Sequence, residues 1–193
     1  MYHYIKGLLV SKDPTQAVIE AHGVGYELKI SLNTHAQLLP GQEAKLFCWL
    51  QVKDDAHVLY GFSDLAERQL FLELTSVSGV GPATAIVMLS SLPVADLRQA
   101  IASGNAKTVQ AIKGIGAKTA QRIILELQDK MAKAGVPVQP TASGTSSAVK
   151  TDALEALVAL GLPKTTAEKS VEAVLKKKPD ASVEEIIRQA LRT

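Results

Sequence analysis

The chain has 193 residues, 47% hydrophobic and 21% charged, with a formal net charge of +2. That length holds one or two domains, or three small ones, and the composition is that of a soluble globular protein, not a disordered one. No apolar run reaches the length of a membrane span, the start Met1-Tyr2-His3-Tyr4 lacks the layout of a signal peptide, and the single cysteine, Cys48, excludes an internal disulfide framework, so a reducing cytoplasm is the expected compartment.

Residues 1–62 read as β. Val24, Tyr26, Leu28 and Ile30 alternate with Gly25, Glu27 and Lys29, the period of a half-buried strand. Ile5 to Val10, Ala17 to Ala21, Ala44 to Val52 and Ala56 to Phe62 supply further strands, and His22-Gly23 and Pro40-Gly41 punctuate them. Five short strands with no helical pattern predict a small barrel of the OB type. The last two should pair as a hairpin with Lys53-Asp54-Asp55 at its tip.

Residues 63–131 change to helical periodicity. Asp64 with Glu67 reads as a capping box, and Leu65, Leu70, Phe71 and Leu74 continue an apolar face. Here one short motif occurs twice, 35 positions apart: Gly79-Val80-Gly81 and Gly114-Ile115-Gly116. The flanks match as well. Leu74 and Val77 correspond to Val109 and Ile112, and Thr84-Ala85 to Thr119-Ala120. Each copy predicts a helix, a tight turn and a second helix, with Pro93 and Gly104 as breaks between the copies. A single Gly-x-Gly could simply join two packed helices; two copies in one register favour a shared ligand. Glycine permits the turn and leaves no side chain between it and that ligand. The turn then offers unpaired N–H groups at a helix N-terminus, where the helix dipole favours an anion.

Charge gathers at the second copy. Lys118 and Arg122 are four apart and share a face that starts at the turn, Lys113 precedes it, and Ile123, Ile124 and Leu127 form a core stripe opposite. From Arg98 to Lys133 seven basic residues face two acidic ones, an electrostatic footprint for a polyanion. With no other phosphate-binding signature present, a nucleic-acid backbone is the simplest anion. The first copy continues Pro82-Ala83 and has no basic residue on its helix, so it must bind through backbone alone or bind less well.

Residues 132–148, AKAGVPVQPTASGTSSA, read as a flexible linker. Residues 149–193 resume as three short helices, with Thr165/Glu168 and Ser182/Glu185 as capping-box pairs and Gly161 and Pro179 closing the helices before them. Leu154, Leu157, Val158, Val171, Val174, Ile186, Ile187 and Leu191 are the candidate core of this small domain. Without catalytic candidates, it reads as a docking module. The fold class is thus α+β and multidomain: barrel 1–62, tandem helix-hairpin-helix 63–131, linker 132–148 and three-helix bundle 149–193.

This architecture resembles the RuvA family, the DNA-binding subunits of bacterial Holliday junction branch-migration complexes. The likeness covers the whole chain. Its most specific stretches are Gly23-Val24-Gly25-Tyr26-Glu27, Asp55 through Phe62, Gly79-Val80-Gly81-Pro82, Gly114 through Ala120 and Ala156 through Gly161. The resemblance implies structure-specific binding of four-way junctions, held open and planar, in recombination, DNA repair and the SOS response. It implies a homotetramer, singly or as an octamer on DNA, a hexameric RuvB ATPase docked on 149–193, and a RuvC-type resolvase. It places phosphate-gripping turns at Gly79, Gly81, Gly114 and Gly116 with Lys113, Lys118, Thr119 and Arg122 beside the second. It also implies an acidic pin at Asp54 and Asp55, and ATPase contacts around Leu160-Gly161-Leu162. Two positions depart from the family: Ala83 where a lysine is common, and Tyr4 where a basic residue is usual. Both weaken the charge side of the first contact and leave its backbone side intact.

Other chemistries fare poorly. Gly116-Ala117-Lys118-Thr119 resembles the end of a Walker A loop, but Ile112 and Ala117 stand where its glycines belong, so no ATP hydrolysis is expected of this chain. A helix-hairpin-helix glycosylase needs a base-flipping pocket with a catalytic carboxylate, and no domain is left over to form one. A single-strand-binding barrel wants stacking platforms, while only 4% of residues are aromatic. His3, His22, His35 and His57 lack ligand spacing, so neither metal nor cofactor is expected. Lys176-Lys177-Lys178 reads as a solvated, dipole-compensating helix end.

Overall fold

Alternating strands build the first half. In the computed structural model, which describes residues 2–134, 146–178 and 181–191, β1 (Tyr4–Asp13), β2 (Gln16–Ala21), β3 (Val24–Lys29), β4 (Glu43–Val52) and β5 (His57–Phe62) close into a barrel in the order β1-β2-β3-β5-β4. All pairings are antiparallel except β3 with β5, the OB topology. Ile5, Leu9, Ile19, Leu28, Leu46 and Cys48 point inward and are buried. The β2–β3 turn is tight because both central residues lie at positive φ, His22 at 52° and Gly23 at 80°. Asp13 fixes the β1–β2 turn, its Oδ1 accepting from the Thr15 N–H at 2.8 Å and the Gln16 N–H at 2.9 Å.

The expectation of no helix in this half is corrected. α1 (Leu32–Gln37) spans the gap between β3 and β4, capped by the Ser31 hydroxyl, which accepts from the Thr34 N–H. Its six residues are too few to display a period, and Ser31 was its one local signal.

The helical half contains α2 (Leu65–Thr75), α3 (Pro82–Ser91), α4 (Val94–Ala102), α5 (Ala106–Gln110) and α6 (Ala117–Ala134). The Asp64 cap is real, its carboxylate accepting from the Glu67 N–H at 2.8 Å. The reciprocal half of the box is absent. Glu67 is buried and turns to the Ser31 hydroxyl, the Thr34 hydroxyl at 2.5 Å and the Ser63 N–H at 3.3 Å. Leu65, expected on the apolar face, is exposed, whereas Leu70, Phe71 and Leu74 are fully buried. Phe71 seats α2 on the barrel, its ring 5.3 Å from Trp49, 5.2 Å from Tyr60 and 4.8 Å from Phe62. Aromatic contacts at such spacings add to area burial. A second buried acid, Glu73, joins Arg98 of α4 at 3.3 Å and Lys130 of α6 at 3.5 Å.

Barrel and α2–α6 lie in one compact unit, α7 (Ser146–Ala159), α8 (Lys164–Lys177) and α9 (Val183–Ala190) in another. Most of the expected linker, residues 135–145, lies outside the described residues, as does Pro179. In the second unit Ser182 caps α9 as expected, accepting from the Glu185 N–H at 3.3 Å. Thr165 and Glu168 do not form a cap, because α8 starts two residues earlier, at Lys164 behind Pro163. The core is also smaller-grained than expected. Ala153, Ala167, Ala181 and Ala190 are buried beside Leu157, Val171, Val174 and Ile186, while Val158 and Leu191 are exposed. Among the described residues no single helix is long and apolar enough to cross a membrane.

Candidate nucleic-acid interface

The two Gly-x-Gly turns match hydrogen bond for hydrogen bond. In the first, Val80 N–H donates to the Val77 carbonyl at 3.0 Å and Ala85 N–H to the Gly81 carbonyl at 2.9 Å. In the second, Ile115 donates to Ile112 at 3.1 Å and Ala120 to Gly116 at 2.9 Å. Val77, Val80, Ile112 and Ile115 are buried and anchor the turns from below. Gly79 and Gly114 lie at φ 90° and 87°, where a side chain would be strained. Gly81 and Gly116 lack a positive φ, and a Cβ on either would meet nothing within 4 Å. The fold therefore demands only the first glycine of each pair. The second leaves open space at the N-termini of α3 and α6, where N–H groups lack intrahelical partners. Gly81 caps α3 without a side-chain hydrogen bond, and Pro82 follows at the first helical position.

Around these turns Lys113, Lys118 and Arg122 are exposed and Thr119 is half-buried. Arg122 does more than lie on the shared face. Its Nη1 crosses to the first hairpin and donates to the Ser78 carbonyl at 3.2 Å. The basic excess expected from Arg98 to Lys133 is smaller than its count, because Arg98 and Lys130 are engaged by Glu73. Nothing in the spacing distinguishes these paired cations from the others. Ala83 is exposed and leaves the first helix without charge. At the other departure, Lys45 of β4 stands over the Tyr4 ring, its Nζ 4.3 Å from the centroid, so a cation stands beside that site from the neighbouring strand.

Asp54 and Asp55 occupy the β4–β5 turn, closed by the Lys53 N–H on the Ala56 carbonyl at 2.9 Å. Both are exposed, and among the described residues neither carboxylate takes a hydrogen bond or ion pair. The contrast with Asp13 is informative. There the Thr15 N–H and hydroxyl hold the carboxyl below its usual range while the acid fixes its turn. The Asp54-Asp55 turn makes no such use of its acids. Among the described residues no cluster of His, Cys, Asp or Glu could hold a metal.

In the second unit Gly161, at φ 97°, ends α7 in a Schellman arrangement, with Leu162 N–H on the Leu157 carbonyl at 3.1 Å. Leu160 is exposed and Leu162 half-buried. Val158 and Leu191, candidates for the core of this domain, are exposed, because hydrophobicity alone does not show which neighbours a residue meets.

Three family models match: the RuvA N-terminal domain over residues 1–61, a SAM-like helix-hairpin-helix tandem over 71–129, and the RuvA C-terminal domain over 148–193. The chain is similar over its full length to proteins named Holliday junction branch migration complex subunit RuvA. The one from Cytophaga hutchinsonii is 46% identical, with 100% of this chain and 99% of that protein covered. The one from Christiangramia forsetii is 48% identical over the same shares, and the one from Amoebophilus asiaticus is 47% identical with both chains fully covered.

Proposed function

The chain belongs to the RuvA family, and from that premise we propose that it binds four-way DNA junctions as the non-catalytic subunit of a branch migration complex. One observation carries the reading into residues. Two hairpins have equivalent turns, each presenting a glycine to open space at a helix N-terminus. Such turns take backbone phosphates, which position a protein on DNA without reading sequence. Gly79, Gly81, Gly114 and Gly116 supply the turns, and Lys113, Lys118, Thr119 and Arg122 supply charge and hydrogen-bond donors. Asp54 and Asp55 serve as a pin at the crossover. The chain acts as a homotetramer, in the cytoplasm, and residues 149–193 recruit the hexameric ATPase that drives migration through contacts around Leu160-Gly161-Leu162. Hydrolysis belongs to that partner.

The test is a mobility-shift comparison of a four-way junction with linear duplex built from the same arms, in excess competitor. A clear preference for the junction is expected. Equal retention of both DNAs would overturn the reading.

A further inference from the structure

From Ser76 to Ser91 the first hairpin has no lysine or arginine, so its turn offers a phosphate neutral donors alone. We propose that Arg122, a residue of the second hairpin, supplies the missing cation to the first and so links the two turns into one phosphate-binding surface. The inference rests on the DNA-binding reading above.

The geometry is direct. Arg122 lies on α6 in the second hairpin, yet its guanidinium hydrogen-bonds the carbonyl of Ser78, the residue before Gly79 in the first turn. A guanidinium has five N–H donors in a planar fork, and one held by Ser78 leaves others for a phosphate oxygen. The side chain is exposed, and no carboxylate neutralises it among the described residues. Its charge therefore stands at the first turn while its Cα belongs to the second. Among the described residues Lys118 makes no hydrogen bond to the first hairpin. It is exposed in the first turn of α6, beside Gly116. A lysine at 122 would be a compact point charge on a flexible stem, without the planar fork that fixes the directions of carbonyl and phosphate together.

The consequence is a pattern of coupling. A lysine introduced at Ala83, the first helix's own exposed position, should replace what Arg122 gives and should not replace what Lys118 gives. The full-length chain, Arg122→Ala, Arg122→Lys and Lys118→Ala are each made with and without Ala83→Lys. Junction affinity is read by mobility shift and folding by thermal midpoint. Arg122→Ala should bind about tenfold more weakly, with Arg122→Lys between it and the parent. Ala83→Lys should return Arg122→Ala to within about threefold of the parent, and give Lys118→Ala only the small gain it gives the parent. An equal gain in every background overturns the assignment. Repeating the series on linear duplex keeps the two ideas apart. A parent that binds junction no better than duplex sinks the proposed function, while the duplex series still decides the coupling. Failure to bind either DNA sinks both.

Discussion

At the scale of single residues, polar groups divide by what they satisfy. Glu67 and Glu73 are buried and fully engaged, whereas Lys118 stands free in solvent. Sequence spacing finds Lys118 because a face beginning at a turn is a local property. It cannot tell that Arg98 and Lys130 pair with Glu73, since that acid lies 25 residues from the first. Nor does it reveal the reach of Arg122 to a carbonyl 44 residues away. Lys118→Ala is expected to weaken binding evenly across DNA sequences and to lower the salt slope by about one phosphate's worth. An unchanged slope removes Lys118 from the contact set. Cys48 offers a second measurement. Burial in the barrel pushes its thiol up to about 11, outweighing the opposing influences of an Ile5 backbone hydrogen bond and of Arg68. A raised thiol pKa favours the protonated form in the folded state, so its contribution to stability is present below the unfolded value and declines from about pH 9 upward. At neutral pH Cys48 should resist a disulfide reagent until the protein unfolds. Rapid labelling of the native protein would show the barrel to be open.

At the scale of elements, the strands were legible from alternation to within a few residues, because a half-buried barrel strand writes its period into its own sequence. α1 was not, since its hold on the fold comes from Ser31 and Thr34 meeting Glu67 more than 30 residues away. The tail core is legible in part for a related reason: Leu157, Val171, Val174 and Ile186 are buried as expected, but small alanines complete the helix contacts while Val158 and Leu191 face outward. The hairpin at Asp54-Asp55 yields the prediction proper to this scale. Two carboxylates on a face that meets a polyanion repel it wherever a phosphate must pass. At an open crossover the strands diverge and leave room; on continuous duplex they do not. Each clash costs on the order of 1 kcal/mol at several ångströms in screened solvent. Asp54→Asn with Asp55→Asn should keep or raise junction affinity and raise duplex affinity more. An unaltered ratio of the two would reduce the pin to a turn.

At the scale of the whole molecule, the second unit has its own buried core, so its removal should leave the first intact. A chain ending at Ala148 is expected to fold and bind junctions, yet to lose stimulation of the partner ATPase in branch migration. Full stimulation by the shortened chain would refute that division of labour. Within the first unit, α2 carries a consequence of its own. It is clamped near one end through Glu67 to Ser31, Thr34 and Ser63, and near the other through Glu73 to Arg98 and Lys130. Its 11 residues span about 16 Å at about 1.5 Å each. Clamped so, the helix is a gauge block that sets the distance from the barrel to the first Gly-x-Gly turn. One inserted residue would advance that turn by about 1.5 Å and swing it about 100° around the axis. A protein built on such a block takes the measure of the DNA backbone brought to it; the DNA must come to its dimensions.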